Sequence, residues 1–119
     1  MSEGELPPAI QEQLMRLQQM QQTLQAVVSQ KQQLDIELAE TDRAITELEK
    51  IVDSTPVYKN VGNLMVKADR QVLLTELKER KELVNTRVTV LGKQEERTRE
   101  RVKEIQERLQ ERLKPSPKE

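Results

Sequence analysis

Residues 57–67 read VYKNVGNLMVK, and this short stretch decides the fold. Two runs rich in β-branched and other apolar residues flank Gly62-Asn63, a pair suited to the positive-φ positions of a tight turn. The stretch therefore predicts a two-stranded β-hairpin in which Val61 opposes Leu64 and Lys59 opposes Val66. That register places four apolar side chains on one face, where we expect no local cover: Val57, Val61, Leu64 and Val66.

A hairpin of this size needs partners. A lone two-stranded hairpin is only marginally stable in water, and it leaves one edge of each strand unpaired. We therefore expect it to join strands from other chains, so the sequence predicts an oligomer.

Heptad repeats fill the chain on both sides of the hairpin. Upstream, two series offset by three positions comprise Ile10, Leu17, Leu24, Lys31, Leu38, Ile45 and Val52, and Met20, Val27, Leu34, Thr41 and Leu48. Downstream, a 3,4 alternation comprises Leu74, Leu77, Lys81, Val84, Val88, Leu91, Glu95, Thr98, Val102, Ile105 and Leu109. Such sustained repeats require a partner helix to cover the apolar seam.

Start and stop signals bound two helices of equal length, at about 8–52 and 69–113. Pro7-Pro8 suits a first helical turn, residues 53–56 end the first helix, and Asp69 is a suitable N-cap for the second. Two equal helices joined by a short connection predict a mainly α fold: a long antiparallel two-helix coiled-coil hairpin with one β-hairpin, at about 56–67, at its bend. The whole chain, 1–119, is then a single domain with both termini at one end and a flexible tail at 114–119.

Composition excludes several classes of protein. The chain has 119 residues, is 34% apolar and 34% charged, and contains one aromatic residue, no His and no Cys. These absences remove the commonest general base, the thiol nucleophile and the N/S ligands of zinc. Its glycines are scattered, so no phosphate-binding loop is present, and we expect no enzyme activity, no metal and no cofactor. No secretory signal or membrane-spanning run is evident, which favours a cytoplasmic protein.

Surplus apolar residues cluster where the predicted helices bring the termini together. Leu14 and Met15 lie off the seam, Leu6 precedes the prolines, and Leu113 is displaced by one place from the seam position. If the apolar seam shifts by one residue position here, Leu14 would be buried against Leu113. If it does not, these residues would form an exposed apolar patch that binds another molecule. The sequence leaves these two explanations even.

The charged run at 93–114 has eight basic and six acidic residues. It could be mistaken for an arm that binds nucleic acid. Glu95 with Arg99 and Glu104 with Arg108 have the i,i+4 spacing of helix-surface ion pairs, so a solvated helix face is the better interpretation. With a net charge of −1, the chain as a whole is not expected to coat nucleic acid or a membrane.

The hairpin stretch VYKNVGNLMVK, the helix start near Pro7-Pro8, and the segments LKERKE (77–82) and QEE (94–96) together resemble the β-type subunit of prefoldin. The similarity covers nearly the whole chain, and the single hairpin is typical of the β type. This resemblance implies a hexamer of two α and four β subunits, with hairpins assembled into a β-barrel platform. The implied platform residues are Val57, Tyr58, Val61, Leu64, Met65 and Val66.

The same resemblance implies an ATP-independent chaperone. Its partners would be a prefoldin α-type subunit, unfolded client proteins held at the arm tips, and a group II chaperonin that receives them. The implied client-binding residues at the tips are Leu6, Ile10, Leu14, Met15, Leu17, Ile105, Leu109 and Leu113. The first alternative is a structural coiled-coil adaptor for fixed protein partners. A helical arm that binds RNA is a weaker alternative, and an enzyme is the weakest.

Overall fold

The computed structural model describes residues 6–113 as two long helices joined by one β-hairpin, which confirms the predicted fold class. The elements are α1 (Pro8–Lys50), β1 (Val57–Val61), β2 (Leu64–Ala68) and α2 (Arg70–Leu113). Helix α1 ends at Lys50 rather than near Val52, and a turn follows in which the Thr55 N–H donates to the Val52 carbonyl at 3.0 Å. The predicted tail at 114–119 lies outside the described residues.

The hairpin has the predicted register. Strands β1 and β2 are antiparallel, with Val61 opposite Leu64 and Lys59 opposite Val66. The turn differs in one respect, because only Gly62 has a positive φ, of 60°, while Asn63 does not. A two-residue loop with glycine in the left-handed region at its first position has the pattern of a type II′ turn.

At both helix starts, N–H groups of the first turn have hydrogen-bond partners just before the helix. At α1 the Pro7 carbonyl accepts hydrogen bonds from the N–H groups of Ile10 and Gln11, both at 3.0 Å. At α2 the Asp69 carboxylate accepts from Gln71 N–H at 2.8 Å and from Val72 N–H at 3.1 Å. Asp69 is therefore the N-cap that the sequence predicts, since its oxygen reaches the second and third helical N–H groups.

The chain forms two compact units. The terminal unit combines residues 1–30 and 91–119, of which 6–30 and 91–113 are described, and the hairpin unit comprises residues 31–90. In the terminal unit, Ile10 near the start of α1 forms a buried cluster with Ile105 and Leu109 near the end of α2. The two helices are therefore antiparallel within this unit, as the equal lengths predict.

The hairpin unit has its own core and a set of ion pairs around it. Ile45 and Leu48 of α1 form a buried cluster with Leu74 of α2. Beside the core, Arg80 and Lys81 of α2 bind carboxylates on α1: Arg80 Nε lies 2.6 Å from Glu37 Oε1, and Lys81 Nζ lies 2.7 Å from Asp42 Oδ1. These ion pairs link facing helices in the antiparallel register.

Burial follows the predicted seam closely. All eleven α2 seam positions, from Leu74 to Leu109, are buried or half-buried, and Val84 is fully buried. The α1 series is also buried or half-buried except at Val52, which is exposed because the helix ends before it. Thr41 is a buried polar seam residue, and its hydroxyl donates to the Glu37 carbonyl at 2.8 Å, so its burial leaves that donor satisfied.

Candidate interaction surfaces

The first candidate surface, called here the hairpin surface, comprises the predicted platform residues Val57, Tyr58, Val61, Leu64, Met65 and Val66. The strand register places Val57, Val61, Leu64 and Val66 on one face and Tyr58 and Met65 on the other. All except Val57 are exposed in the single chain, and Met65 and Leu64 are about 70% exposed (71% and 68%). An exposed apolar ribbon of this kind is the usual sign of a contact with another protein.

The expectation that no residue of the same chain covers this face is wrong at Val57. Its side chain is half-buried and packs on the cluster of Ile45, Leu48 and Leu74. On the same face, Lys59 Nζ lies 3.8 Å from Glu76 Oε2 of α2. The base of the hairpin is therefore anchored on the helices of its own chain, and the exposed apolar surface begins beyond it.

The strands also offer backbone groups. Within residues 6–113 the sheet consists of β1 and β2 alone, so each strand pairs along one edge and leaves the other open. Open edges present N–H and C=O groups in the spacing that another strand requires. The hairpin thus combines apolar side chains with two edges that can accept further strands.

The second candidate surface, called here the terminal patch, comprises Leu6, Leu14, Met15 and Leu113 in the terminal unit. Seam drift would have buried Leu14 against Leu113, but these side chains are 37% and 54% exposed, so that explanation is wrong. Leu6 is similarly exposed, and Met15 is 63% exposed. The structure therefore leaves apolar surface open here.

The other four predicted tip residues have a different environment. Ile10, Ile105 and Leu109 form the buried cluster of the terminal unit, and Leu17 is half-buried against it. Their side chains hold α1 and α2 together. Of the eight predicted tip residues, the four exposed ones are therefore those of the terminal patch.

The two predicted ion pairs on α2 have different outcomes. Arg99 Nε donates to Glu95 Oε2 at 3.1 Å, which confirms the first pair. Glu104 and Arg108 form no ion pair in the described part of the chain, although both are exposed, as expected of a solvated helix face. Both side chains line a groove of the terminal unit that the sequence did not reveal. Helical spacing permits such a pair but does not enforce it, since an exposed i,i+4 pair contributes only about 0.3–0.5 kcal/mol.

Arg70 also has a role that the sequence did not reveal. Its guanidinium reaches from the first turn of α2 to the end of α1, where Nη1 lies 2.8 Å from Asp53 Oδ1. Asp53 is recognisable in the sequence only as part of a helix stop. The partnership depends on the chain reversal that brings the two helix ends together.

The structure also bears on sites for chemistry. Among residues 6–113, no group of three or more acidic side chains is arranged to hold a metal ion. Neither helix in that range is long and apolar enough to cross a membrane.

Comparison with known proteins agrees with these features. A family model described as prefoldin subunit matches residues 11–116. Among curated relatives, prefoldin subunit beta of Methanothrix thermoacetophila is 51% identical over 98 residues, which are 82% of each chain. Prefoldin subunit beta of Thermococcus onnurineus is 40% identical over 111 residues, covering 93% of this chain and 96% of that protein.

A solved structure gives the same result in three dimensions. The crystal structure of the prefoldin beta subunit from Thermococcus strain KS-1 matches with a TM-score of 0.83 at 39% identity. The match covers 94% of this chain and 98% of that chain, so it includes both helices and the hairpin. The chain therefore belongs to the prefoldin family of non-enzymatic chaperone subunits, in its β class, whose members form hetero-oligomers with α-type subunits.

Proposed function

We propose that this subunit captures unfolded proteins at its arm tips without ATP and delivers them to a group II chaperonin. The observation that carries the proposal is the terminal patch, where Leu6, Leu14, Met15 and Leu113 stay exposed beside a fully formed seam. Apolar side chains that are surplus to the helix pairing are available to bind apolar segments of another protein.

The chemistry of the patch suits partners of no fixed shape. Leucine and methionine side chains are flexible, and the polarizable thioether of Met15 adapts to irregular apolar surfaces. A patch of four residues binds weakly by itself. Several such patches on one oligomer add their binding through avidity, so a client that exposes many apolar segments is held while each single contact stays reversible.

The hairpin surface supports the assembly that such avidity needs. We infer a hexamer of two α and four β subunits in which hairpins from several chains pair edge to edge as a β-barrel platform. Val61, Leu64 and Val66 would face the interior of that platform, where burial removes them from water. Closing a barrel also pairs the open strand edges, which a single hairpin cannot do.

The function is tested by replacing three exposed residues of the terminal patch with serine: Leu14→Ser, Met15→Ser and Leu113→Ser in one chain. The variant is assembled with an α-type subunit, and aggregation of several unrelated unfolded proteins is followed by light scattering. We expect protection to fall several-fold while the mass of the complex and its helical circular dichroism stay unchanged, because the three side chains lie outside the buried clusters.

A matched control removes the same kind of surface elsewhere. Ile36, Leu83 and Val90 are exposed apolar residues of the hairpin unit, and their triple replacement by serine should leave protection unchanged. Equal protection by the terminal-patch variant and the unaltered complex would refute the client-binding role of the patch. Delivery is tested separately, by the transfer of a labelled client to a purified group II chaperonin.

The same control addresses the alternative function, a structural adaptor for fixed partners. Exposed Ile36, Leu83 and Val90 on the helix faces are the observation in its favour. An adaptor would bind one folded partner, would lose that partner when these three residues become serine, and would not protect unfolded proteins.

A further inference from the structure

A groove in the terminal unit has an unusual charge. It has a volume of about 230 Å³, and its lining residues come from both helices: Arg16 and Met20 of α1, and Arg101, Glu104, Ile105 and Arg108 of α2. We propose that this groove binds short acidic segments of client proteins in which one apolar side chain is flanked by Asp or Glu. The inference rests on the proposed function and adds a chemical class of client segment to it.

Helical spacing builds the groove. Arg16 and Met20 are four residues apart on α1, while Arg101, Ile105 and Arg108 are four and then three residues apart on α2. Residues at these separations share one helix face. Because Ile105 is buried and Met20 packs against its cluster, the floor is apolar. Three guanidinium groups on exposed residues surround it.

The positive charge is poorly compensated within the lining of the groove. The lining carries three arginines and one glutamate, Glu104, which leaves a local excess of two positive charges. Arg16 Nη2 lies 3.8 Å from Glu12 Oε1, a pair with both side chains more than half exposed, and such pairs contribute little. In the described part of the chain, Arg101 and Arg108 make no ion pair at all.

A groove in the hairpin unit serves as a comparison. It is larger, about 510 Å³, and is lined by Ile45, two lysines and three glutamates among others. Its charges therefore nearly cancel, and Lys81 is already bound to Asp42. The excess of unpaired cations therefore distinguishes the groove in the terminal unit from this groove in the hairpin unit.

Guanidinium groups and an apolar floor select a particular ligand. Arginine presents a planar set of donors that matches the two oxygens of a carboxylate, and it is more weakly hydrated than lysine, which favours pairing at a partly apolar site. Met20 can adjust to different apolar side chains. The volume is below the range of about 300–1,000 Å³ typical of small-molecule pockets, so the groove fits a short piece of an extended chain.

The test uses the assembled complex and a short fluorescein-labelled peptide that alternates Glu with Leu; its counterpart with Gln in place of Glu has no charge. Binding is followed by fluorescence anisotropy at low and physiological salt. We expect the acidic peptide to bind more tightly than its counterpart, and the difference to shrink as salt rises, because exposed charges are screened. The double variant Arg101→Gln, Arg108→Gln should weaken binding of the acidic peptide by about tenfold.

Two further variants control for charge and geometry. Arg87→Gln with Lys103→Gln removes the same net charge from exposed positions of α2 outside the groove, and it should change affinity by less than about twofold. Arg101→Lys with Arg108→Lys keeps the charge and should bind with intermediate affinity, since lysine lacks the planar set of donors. Circular dichroism and complex mass show whether each variant is folded and assembled.

Three outcomes would overturn the proposal. If the two peptides bind with equal affinity, the groove does not recognise the carboxylate groups of Glu. Tighter binding of an RNA oligonucleotide than of the acidic peptide, at equal net charge, would assign the arginines to phosphate. A large gain in affinity on removing residues 2–5, which include Glu3 and Glu5, would show that the chain's own acidic segment is the occupant.

These failures differ from failure of the proposed function. If the groove is wrong but the subunit is a chaperone, the complex still suppresses aggregation of unfolded proteins, and the Arg101→Gln, Arg108→Gln variant protects acidic and neutral clients equally well. If the subunit is not a chaperone, the unaltered complex protects none of them.

Discussion

Arg70 donates a hydrogen bond from Nε to the carbonyl oxygen of Leu48 at 2.7 Å. Leu48 lies in the last turn of α1, where carbonyl groups have no partner within the helix and the helix dipole is negative. Arg70 is the first residue of α2, and its side chain is only 15% exposed. One guanidinium therefore caps the preceding helix and, through Asp53, holds the connection to the hairpin.

We expect Arg70→Gln to lower the free energy of unfolding by about 1–2 kcal/mol, mainly because the half-buried guanidinium loses its hydrogen bond to the Leu48 carbonyl, while the exposed pair with Asp53 contributes little. Urea unfolding followed by circular dichroism at a fixed subunit concentration measures the change, since oligomer stability depends on concentration. Arg87→Gln is the matched control: Arg87 is exposed and has no ion pair within residues 6–113, so its loss should cost little. Equal effects of the two substitutions would contradict the capping role.

Gln13 occupies a seam position of the terminal unit, seven residues before Met20. Its Oε1 is buried, and no hydrogen-bond donor in the described chain reaches it. We expect Gln13→Leu to raise the free energy of unfolding by about 1 kcal/mol, because a buried unsatisfied polar group is replaced by an apolar one. Thermal unfolding of the complex measures this. Gln18→Leu, at an exposed position of α1, should change stability much less.

Gly62 has a φ of 60°, and an added Cβ would meet no atom within 4 Å. The added Cβ would therefore clash with no other group, and the cost of substitution comes from backbone strain at positive φ. We expect Gly62→Ala to weaken assembly by roughly 1–2 kcal/mol, and Gly62→Asn to weaken it less, since asparagine tolerates positive φ better. Analytical ultracentrifugation over a dilution series gives the comparison. A larger effect of Asn than of Ala would rule out this explanation.

Val61 and Leu64 are opposite each other in the hairpin register and are exposed in the single chain. We expect Val61→Asp with Leu64→Asp to prevent assembly with an α-type subunit, because burying an unpaired carboxylate in an apolar interface costs several kcal/mol. Native mass spectrometry reports the stoichiometry. Asn60→Asp with Asn63→Asp adds the same charge at exposed polar positions of the hairpin and should still assemble. If the first variant still assembles, the hairpin surface is not part of the subunit interface.

Local pattern predicted much of this structure because each feature depends on neighbours in sequence. The seam from Leu74 to Leu109 follows from the 3,4 spacing, which places those residues on one helix face whatever the partner. The pairing of Val61 with Leu64 follows from a two-residue turn, which sets the register. The cap at Asp69 follows from the reach of its side chain to N–H groups two and three residues ahead.

Other features depend on residues far apart in sequence. Whether Leu14 is buried depends on where Leu113 lies, and the sequence left that question even until the structure showed both exposed. The cover on Val57 comes from Ile45, Leu48 and Leu74, which no feature of the hairpin stretch indicates. Arg108 has the spacing to pair with Glu104, yet it lines a groove with Arg16 of the other helix.

By itself, then, the sequence determined the kind of each element, the face that each presents and the presence of surplus apolar surface, because helical and strand periodicity are properties of one backbone segment. Only the tertiary structure decided which side chains remain exposed, that Arg70 caps Leu48, and that three arginines surround one groove. Those outcomes depend on the rotation of two facing helices about their axes and on the competition of each charged group among several partners. Heptad spacing does not specify either of them.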